Sequence, residues 1–188
     1  MGHFGCKATF QRGEVIVQFA ARWPWSRAES HAGGRSAVAL RFADLDALVV
    51  TGKATTPSCL AVGNHHIDIQ DVHYLWGQNV DAAGKMLRRM YPGSGHRSIL
   101  RIGPAGEIGS SMACINVDTY RHFGRLGSGA VMGAKKLKAI SVSGTGRVSL
   151  ARPDTITAIA RTLARSWRRP PTSSRIRAPW KQPGSVSW

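Results

Sequence analysis

Glycines and basic residues are concentrated in residues 121–140, which read RHFGRLGSGAVMGAKKLKAI. The four glycines are Gly124, Gly127, Gly129 and Gly133, and arginines stand at positions 121 and 125, ahead of three lysines. Glycine permits positive φ angles and a close approach of the backbone to a ligand, and guanidinium groups pair well with phosphate oxygens. The pattern predicts a tight turn that binds an anion, although glycine-rich basic turns are also typical of plain loops.

Four other side chains could do chemistry, and for each a structural interpretation is favoured. His65 and His66 could bind a metal ion, but adjacent residues at a hairpin tip point apart, which favours solvated side chains. Glu107 follows GPAG and could act as an acid or base, but a loop or capping residue is favoured. His3, beside Gly2, is interpreted as structural or solvated. The sequence therefore predicts no catalytic residue and no side chain that binds a metal.

The three cysteines, Cys6, Cys59 and Cys114, are far apart and form no C-x-x-C pair. This spacing indicates reduced thiols and a cytoplasmic location, and it excludes a self-contained zinc or iron–sulfur site of the usual spacing. No apolar run is long enough to span a bilayer and no signal-peptide core is present, so no membrane partner is expected.

Short apolar runs between turn residues must position these groups. They predict strands over residues 14–21, 47–51, 98–102, 112–117 and 139–143, and a hairpin formed by 59–62 and 67–70. Helical spacing predicts one clear helix that begins at Asp81, which acts as its cap, and ends before Pro92; residues 103–107 are expected to form a turn. The fold class that follows is α+β with few helices, because no alternating β-α-β run indicates a Rossmann sheet.

The formal charge of +16 in 188 residues is the unusual feature of the composition. Residues 42–150 carry 12 Lys and Arg against 7 Asp and Glu, residues 1–41 carry 6 against 2, and residues 151–188 carry 8 against 1. A strongly basic chain can bind nucleic acid or another anionic surface. Most of the excess, however, lies outside residues 42–150 and no nucleic-acid-binding motif accompanies it, so nucleic acid is not expected as a partner.

Three further blocks precede the glycine-rich run: DALVVTGKATTP at 46–57, DVHYLWGQ at 71–78 and IGPAGE at 102–107. In order and spacing, the four blocks resemble the N-terminal domain of the aldehyde ferredoxin oxidoreductase family, the tungsten enzymes. The pterin-binding turn of that family has the pattern R-x-x-G-R-x-G-x-G-A-V-M-G-S-K-x-L-K-A-I. GHFG at 2–5 is similar to a segment of the same domain. The resemblance covers residues 2–5 and about 40–148, and only the N-terminal domain of the family.

The resemblance divides the chain into four parts. Residues 1–5 are interpreted as the start of the family domain and residues 40–150 as its pterin-binding part. Residues 6–39 interrupt it as a surface insertion or, preferably, as a segment translated from a shifted frame, because Arg, Trp, Ser and Pro rise together. Residues 151–188 are predicted to form a short helix over 153–167, capped by Asp154, and then a disordered basic tail or an out-of-frame end.

The resemblance also assigns candidate cofactor-binding residues. By position, Arg121 matches an arginine that contacts the phosphate of the pterin cofactor, and Gly124 matches a glycine whose amide lies against that cofactor. His122 matches a residue whose backbone carbonyl reaches a magnesium ion bridging the two pterin phosphates, and Arg125 is implied as electrostatic support. The fold implied is a saddle of two sheets on which the bis-pterin cofactor rests.

The function implied is that of the N-terminal cofactor-binding fragment of an oxidoreductase. The intact enzyme would oxidise an aldehyde with water to a carboxylic acid at a tungsten or molybdenum bis-pterin centre and pass electrons through a 4Fe-4S cluster to ferredoxin. The cluster cysteines of the family are absent here, so this chain alone is expected to be inactive.

Two alternatives stay open. The form RHFGRLGSG departs from the commoner RAAGRGG and is similar to a subgroup of aldehyde and acyl-CoA-related tungsten enzymes, so the chain could be a fragment of a tungsten acyl-CoA reductase subunit. The net charge keeps a basic nucleic-acid-binding protein as the other alternative. The sequence leaves the oligomeric state open.

Overall fold

Two β-sheets organise the first of the two units into which the chain divides, Met1–Val148 and Ser149–Trp188. The computed structural model describes residues 6–11, 14–20, 27–93, 97–124, 126–147 and 150–168. Strands and helices are mixed without a regular β-α-β alternation, which confirms the predicted α+β class. The segment GHFG, His3, Arg125 and the predicted tail beyond residue 168 lie outside the described residues.

The smaller sheet has four strands in the order β3-β2-β1-β4, and all its neighbours are antiparallel. The strands are β1 (Cys6–Gln11), β2 (Glu14–Ala20), β3 (Arg27–Ala32) and β4 (Ala47–Val50), and helix α1 (Ser36–Phe42) lies between β3 and β4. The strands predicted over 14–21 and 47–51 appear as β2 and β4. No periodic apolar pattern indicated β1 or β3, and yet β1 pairs directly with β4.

The larger sheet has six strands in the order β6-β5-β10-β7-β8-β9, in which only β5 and β10 are parallel. The strands are β5 (Ser58–Gly63), β6 (His66–Asp71), β7 (Ser98–Arg101), β8 (Ile115–Val117), β9 (Arg121–Phe123) and β10 (Leu137–Val142). The β5–β6 hairpin, β7 and β10 confirm the predictions. Strand β8 is shorter than the expected 112–117, and β9 occupies the start of the segment that was expected to be a turn.

Five helices lie within the described residues, more than the one clear helix and one short helix that the sequence indicated. Besides α1 they are α2 (Val80–Met90), α3 (Pro104–Glu107), α4 (Ser128–Ala134) and α5 (Pro153–Arg168). The cap of α2 is Asn79, whose side chain accepts a hydrogen bond from the Ala82 amide at 2.8 Å, and the expected cap Asp81 lies in the first turn instead. The expected turn at 103–107 is α3.

The larger sheet is covered on both faces. One face shares a hydrophobic core with the smaller sheet, to which Leu48 contributes from β4 and Phe123 from β9. The other face packs against α2 and the 3-10 turn His73–Leu75 through Leu75 and Leu87, both with 0% exposure. Leu75 is thus buried as expected, whereas Trp76 is only half-buried. All six residues of β10, the strand in the middle of this sheet, are buried.

Candidate functional site

The predicted site residues lie on edge strand β9 and on the loop that follows it. Arg121 and His122 are exposed, while Phe123 is completely buried and fastens the strand to the core. The pairing of Asn116 with His122 and of Val117 with Arg121 places consecutive β9 side chains on opposite faces. The structure therefore presents the side chains of Arg121 and His122 in different directions, so a ligand of the Arg121 side chain would not meet the His122 imidazole on the same face.

Two hydroxyl groups, one on the smaller sheet and one on α4, hold the loop after β9. The Ser30 hydroxyl, on β3 of the smaller sheet, donates to the Gly124 carbonyl at 2.9 Å. The buried Ser128 hydroxyl, at the start of α4, donates to the Phe123 carbonyl at 3.1 Å. Neither serine was identified from the sequence, and Ser30 belongs to the segment interpreted as an insertion or a shifted frame. The loop position thus depends on residues far apart in sequence.

Gly124 borders open space. A Cβ built on Gly124 would meet no atom within 4 Å, and its φ angle is not positive, so neither packing nor backbone conformation requires glycine there. Arg121, three residues before it, is exposed and passes Gly34, with its Cγ 3.6 Å from a Cβ built on that glycine. Arg121 supplies an exposed guanidinium, and Gly124, three residues later, leaves an approach to the backbone unfilled. Guanidinium and backbone amide donors both suit a phosphate group.

The remaining glycines of the run serve helix packing. A Cβ on Gly127 would lie 2.9 Å from the Ser111 carbonyl oxygen, one on Gly129 would lie 2.6 Å from the Cys114 carbonyl oxygen, and one on Gly133 would overlap the backbone of Gly106. Gly127 also has a φ of 72°, a left-handed conformation that glycine adopts without strain. These three glycines let α4 lie directly on the backbone of α3 and residues 111–114.

The three lysines of the run also have partners within the protein. Lys135 donates to the Gly52 carbonyl at 2.9 Å, Lys136 to the Thr55 carbonyl at 2.6 Å, and Lys138 to the Gln78 carbonyl at 2.9 Å. Their ammonium groups anchor two neighbouring loops to the start of β10. Arg121, in contrast, is exposed on β9.

Glu107 forms a buried ion pair with Lys138. The two side chains are only 4% and 0% exposed, and the second carboxylate oxygen of Glu107 accepts a hydrogen bond from the Gly77 amide at 2.7 Å. The structure thus gives Glu107 a buried ion pair at the end of α3, where the sequence favoured a loop or capping residue. Lys138 was not singled out from the sequence because its partner is 31 residues away and no local pattern joins the two.

The histidines of the β5–β6 hairpin are exposed, as expected for a solvated hairpin tip. His65 Nε2 lies 3.9 Å from Asp44 Oδ2. At the far end of β6, the His73 amide donates to Asp71 and, with the Thr56 and His73 side chains, lowers the pKa of Asp71 to about 2. Within the described ranges, no three His, Cys, Asp or Glu side chains are grouped as they would be around a metal ion.

Cys59 and Tyr91 form a second buried polar contact, on the α2 side of the larger sheet. Burial raises the pKa of the Cys59 thiol to about 11, although a hydrogen bond with Tyr91 partly opposes the shift. Burial and the neighbouring thiol also raise the pKa of Tyr91, whose hydroxyl donates to Gln70 at 2.7 Å. Cys114, in contrast, is exposed.

Comparison with known proteins places this architecture in context. The sequence pattern of the family described as "Aldehyde ferredoxin oxidoreductase, N-terminal domain" matches residues 8–144. The chain is 41% identical over 122 residues to a tungsten-containing aldehyde ferredoxin oxidoreductase of Thermococcus kodakarensis, covering 65% of this chain and 20% of that protein. It is 38% identical over 144 residues to the enzyme of the same name from Pyrococcus furiosus, covering 77% and 24%.

A solved structure shares the fold. A chain of the active site complex BamBC of benzoyl coenzyme A reductase superposes with a TM-score of 0.74 over 92% of this chain and 28% of its own length, at 24% sequence identity. The present chain therefore spans about a fifth to a quarter of the curated relatives that it matches. None of the helices in the described part is long and apolar enough to cross a bilayer.

Proposed function

This chain belongs to the family of the aldehyde ferredoxin oxidoreductase N-terminal domain, and we propose that it is the cofactor-binding N-terminal part of an oxidoreductase that acts on aldehydes. The reaction proposed for the intact enzyme converts an aldehyde and water into a carboxylic acid, two protons and two electrons. The observation that carries the proposal is that Arg121 is exposed and that Gly124, three residues after it, borders open space. A tungsten or molybdenum bis-pterin centre supplies the redox chemistry when bound, and ferredoxin is the proposed acceptor by way of a 4Fe-4S cluster.

The residues of this chain have binding roles in the proposal. The Arg121 guanidinium binds a cofactor phosphate, and Gly124, which has no side chain, lets the cofactor approach the backbone. The backbone carbonyl of His122 would help to hold a magnesium ion of the cofactor, and Arg125 would add positive charge. The two sheets form the saddle beneath the cofactor. The proposal gives no catalytic step to any of these residues, which bind and orient the cofactor.

We propose that the chain is inactive by itself. It spans about a fifth of the length of its relatives, and its three cysteines do not have the spacing of cluster ligands. The cluster ligands and the groups that contact the aldehyde would then lie on polypeptide that this sequence does not cover. A cytoplasmic location, inferred from the unpaired cysteine spacing, belongs to the same proposal.

The binding role of Arg121 can be tested with pyrophosphate as a probe for the cofactor phosphates. In Arg121→Gln we expect the affinity for pyrophosphate, measured by titration calorimetry at low salt, to fall about tenfold, because a charge-assisted pair of hydrogen bonds is lost. Arg89→Gln, which removes the same charge from an exposed position of α2, serves as the matched control. An equal loss in both variants would show that pyrophosphate responds only to net charge and would contradict the proposed site.

Gly124 provides a second test that separates binding from folding. Because a Cβ at this position meets no atom, Gly124→Ala should leave the urea midpoint unchanged and weaken pyrophosphate binding by filling the approach to the backbone. A variant that binds as well as the unaltered chain would remove Gly124 from the site.

A tungsten acyl-CoA reductase subunit is the second candidate, and the fold shared with a benzoyl coenzyme A reductase chain is the observation that favours it. The two candidates differ in the substrate of the intact enzyme. Reduction of ferredoxin that depends on an aldehyde would support the first, whereas turnover that requires a coenzyme A thioester would support the second.

A further inference from the structure

The buried pair of Glu107 and Lys138 joins three separate segments of the fold. Glu107 is the last residue of α3, and Lys138 is the second residue of β10. Glu107 accepts from the Gly77 amide at 2.7 Å and Lys138 donates to the Gln78 carbonyl at 2.9 Å, so both ends of the pair also hold the loop before α2. A buried ion pair contributes little net stability compared with apolar replacements, and what it can supply is a defined geometry.

Helix α3 in turn determines where α4 lies, because the two helices touch through their backbones. A Cβ on Gly106 would lie 2.9 Å from the Gly129 carbonyl oxygen, and one on Gly133 would overlap Gly106. The Gly129 amide also donates to the Ala113 carbonyl at 3.0 Å. With no side chain between them to absorb a displacement, a shift of α3 must be accommodated by α4.

The start of α4 is part of the candidate loop. Gly127 precedes the first residue of α4, and the Ser128 hydroxyl fastens that residue to the Phe123 carbonyl at the end of β9. A continuous series of contacts therefore runs from Lys138 and Glu107 through α3 and α4 to Gly127 and to Phe123 at the end of β9.

We propose that Glu107 and Lys138 are positioning residues for Gly127 and the start of α4, where the chain after β9 enters the helix. The ion pair fixes α3 against β10, and α3 fixes α4 and Gly127. The ion pair would position this segment whether or not a ligand is bound. Its effect on ligand affinity, in contrast, rests on the function proposed above. This role differs from ordinary stabilisation, because it concerns where this segment lies and not how much free energy is needed to unfold the chain.

Amide hydrogen exchange of the full 188-residue chain, followed by NMR, tests the proposal. The readout is the Gly129 amide, bonded to Ala113, and the reference is the Ser143 amide, bonded to the Val62 carbonyl at 2.9 Å. The decisive variant is the double replacement Glu107→Gln with Lys138→Met, which removes both charges and should retain most of the stability. We expect exchange at Gly129 to accelerate at least about tenfold more than at Ser143.

A second double replacement, Glu107→Leu with Lys138→Met, keeps the test available if the first does not fold, since it leaves neither a buried charge nor a buried amide at the position of the pair. The matched control is Lys135→Met, which removes another buried lysine, 6% exposed, whose ammonium group binds the Gly52 carbonyl in a different loop. Unchanged protection of Gly129 relative to Ser143 in the Glu107 variants would overturn the proposal, and so would an equal loosening by Lys135→Met.

The affinity for pyrophosphate then distinguishes the positioning role of Glu107 and Lys138 from the proposed phosphate site. With both correct, the double variant binds pyrophosphate about tenfold more weakly and shows fast Gly129 exchange. If the unaltered chain binds no pyrophosphate while the double variant still loosens Gly129, the positioning role stands and the phosphate site fails. If the double variant binds pyrophosphate normally and Gly129 stays protected, the positioning role is refuted.

Discussion

Leu126 has an unusual backbone conformation for a large side chain. Its φ is 58°, directly before Gly127 at 72°, and its side chain is 58% exposed. A left-handed conformation costs a residue with a Cβ about 1–2 kcal/mol, while glycine adds about 0.5–1 kcal/mol of backbone entropy to the unfolded chain. We therefore expect Leu126→Gly to raise the free energy of unfolding by about 0.5–1 kcal/mol, measured by urea denaturation.

Met112→Gly is the control for this prediction. Met112 is 82% exposed, as an apolar side chain near the same loop, but its φ is not positive. The glycine there relieves no strain and should lower the free energy of unfolding by about 0.5–1 kcal/mol. A loss of stability in both variants would mean that Leu126 is not strained.

Because of Cys59, the free energy of unfolding is expected to depend on pH in the alkaline range. The pKa of this thiol is raised from 9.0 to about 11 by burial, so the folded chain keeps a proton that the unfolded chain releases above pH 9. The neutral buried thiol makes its full contribution to the free energy of unfolding below pH 9. This contribution decreases by up to about 3 kcal/mol as the pH rises towards 11. Urea midpoints between pH 8 and 11 should show this loss in the unaltered chain and in Cys114→Ala, whose cysteine is exposed, but a much smaller loss in Cys59→Ala. The same loss in Cys59→Ala would assign it to another group.

At this scale the sequence was a poor guide to why glycines and lysines recur. Arg121 and His122 are exposed on edge strand β9, and the binding roles assigned to them and to Gly124 stay predictions. Gly129 is required by the backbone of Cys114, and Lys138 pairs with the side chain of Glu107. Both partners are distant in sequence, so no local pattern indicates them.

Helix α2 contains a glycine for a reason that lies outside the helix. A Cβ on Gly84 would be 2.7 Å from the guanidinium carbon of Arg101, which is 1% exposed and donates to the carbonyls of Val80 and Asp118, each at 2.6 Å. Alanine favours a helix over glycine by about 1 kcal/mol. Gly84→Ala should nevertheless lower the free energy of unfolding by about 1–3 kcal/mol, because it overpacks a buried charged group.

The cause can be isolated by a double-mutant cycle with Arg101→Met. In that background the guanidinium is absent, and Gly84→Ala should become neutral or stabilising in urea denaturation. If alanine destabilises α2 equally in both backgrounds, the contact with Arg101 is not the reason for the glycine.

Elements with their own periodicity were predictable, and elements defined by their neighbours were not. The α2 helix and the β5–β6 hairpin carry apolar spacing and turn residues that indicate them locally. Strand β9 and helices α3 and α4 are three, four and seven residues long, and backbone contacts with each other and with β8 account for them. Strand β3, with the sequence RAESHA, has no apolar alternation and is specified by its pairing with β2.

For the whole molecule, the distribution of charge allows binding of nucleic acid to be distinguished from binding of pyrophosphate at Arg121. Residues 151–188 hold 8 of the 26 basic residues and 1 of the 10 acidic ones, so their deletion lowers the formal charge from +16 to +9. Any binding of a labelled DNA duplex should fall steeply between about 50 and 200 mM salt and disappear on this deletion, whereas pyrophosphate binding at Arg121 should persist. DNA binding that survives the deletion and the higher salt, measured by fluorescence anisotropy, would favour a nucleic-acid-binding protein.

The central strand β10 has a consequence for how the molecule is made. Among the described strands of the larger sheet, it alone pairs with both β5 of the β5–β6 hairpin and β7, which leads to β8 and β9, and it is also the last of these strands in the chain. Its parallel pairing with β5 closes a crossover that contains α2, α3 and α4, so the entropy of closing a long loop is lost before the sheet can gain its contacts. Folding should accordingly be governed by long-range contacts and be slow for a domain of this size. On the ribosome, the loop beside Arg121 can take its final place only after the chain has been synthesised and released through Val142.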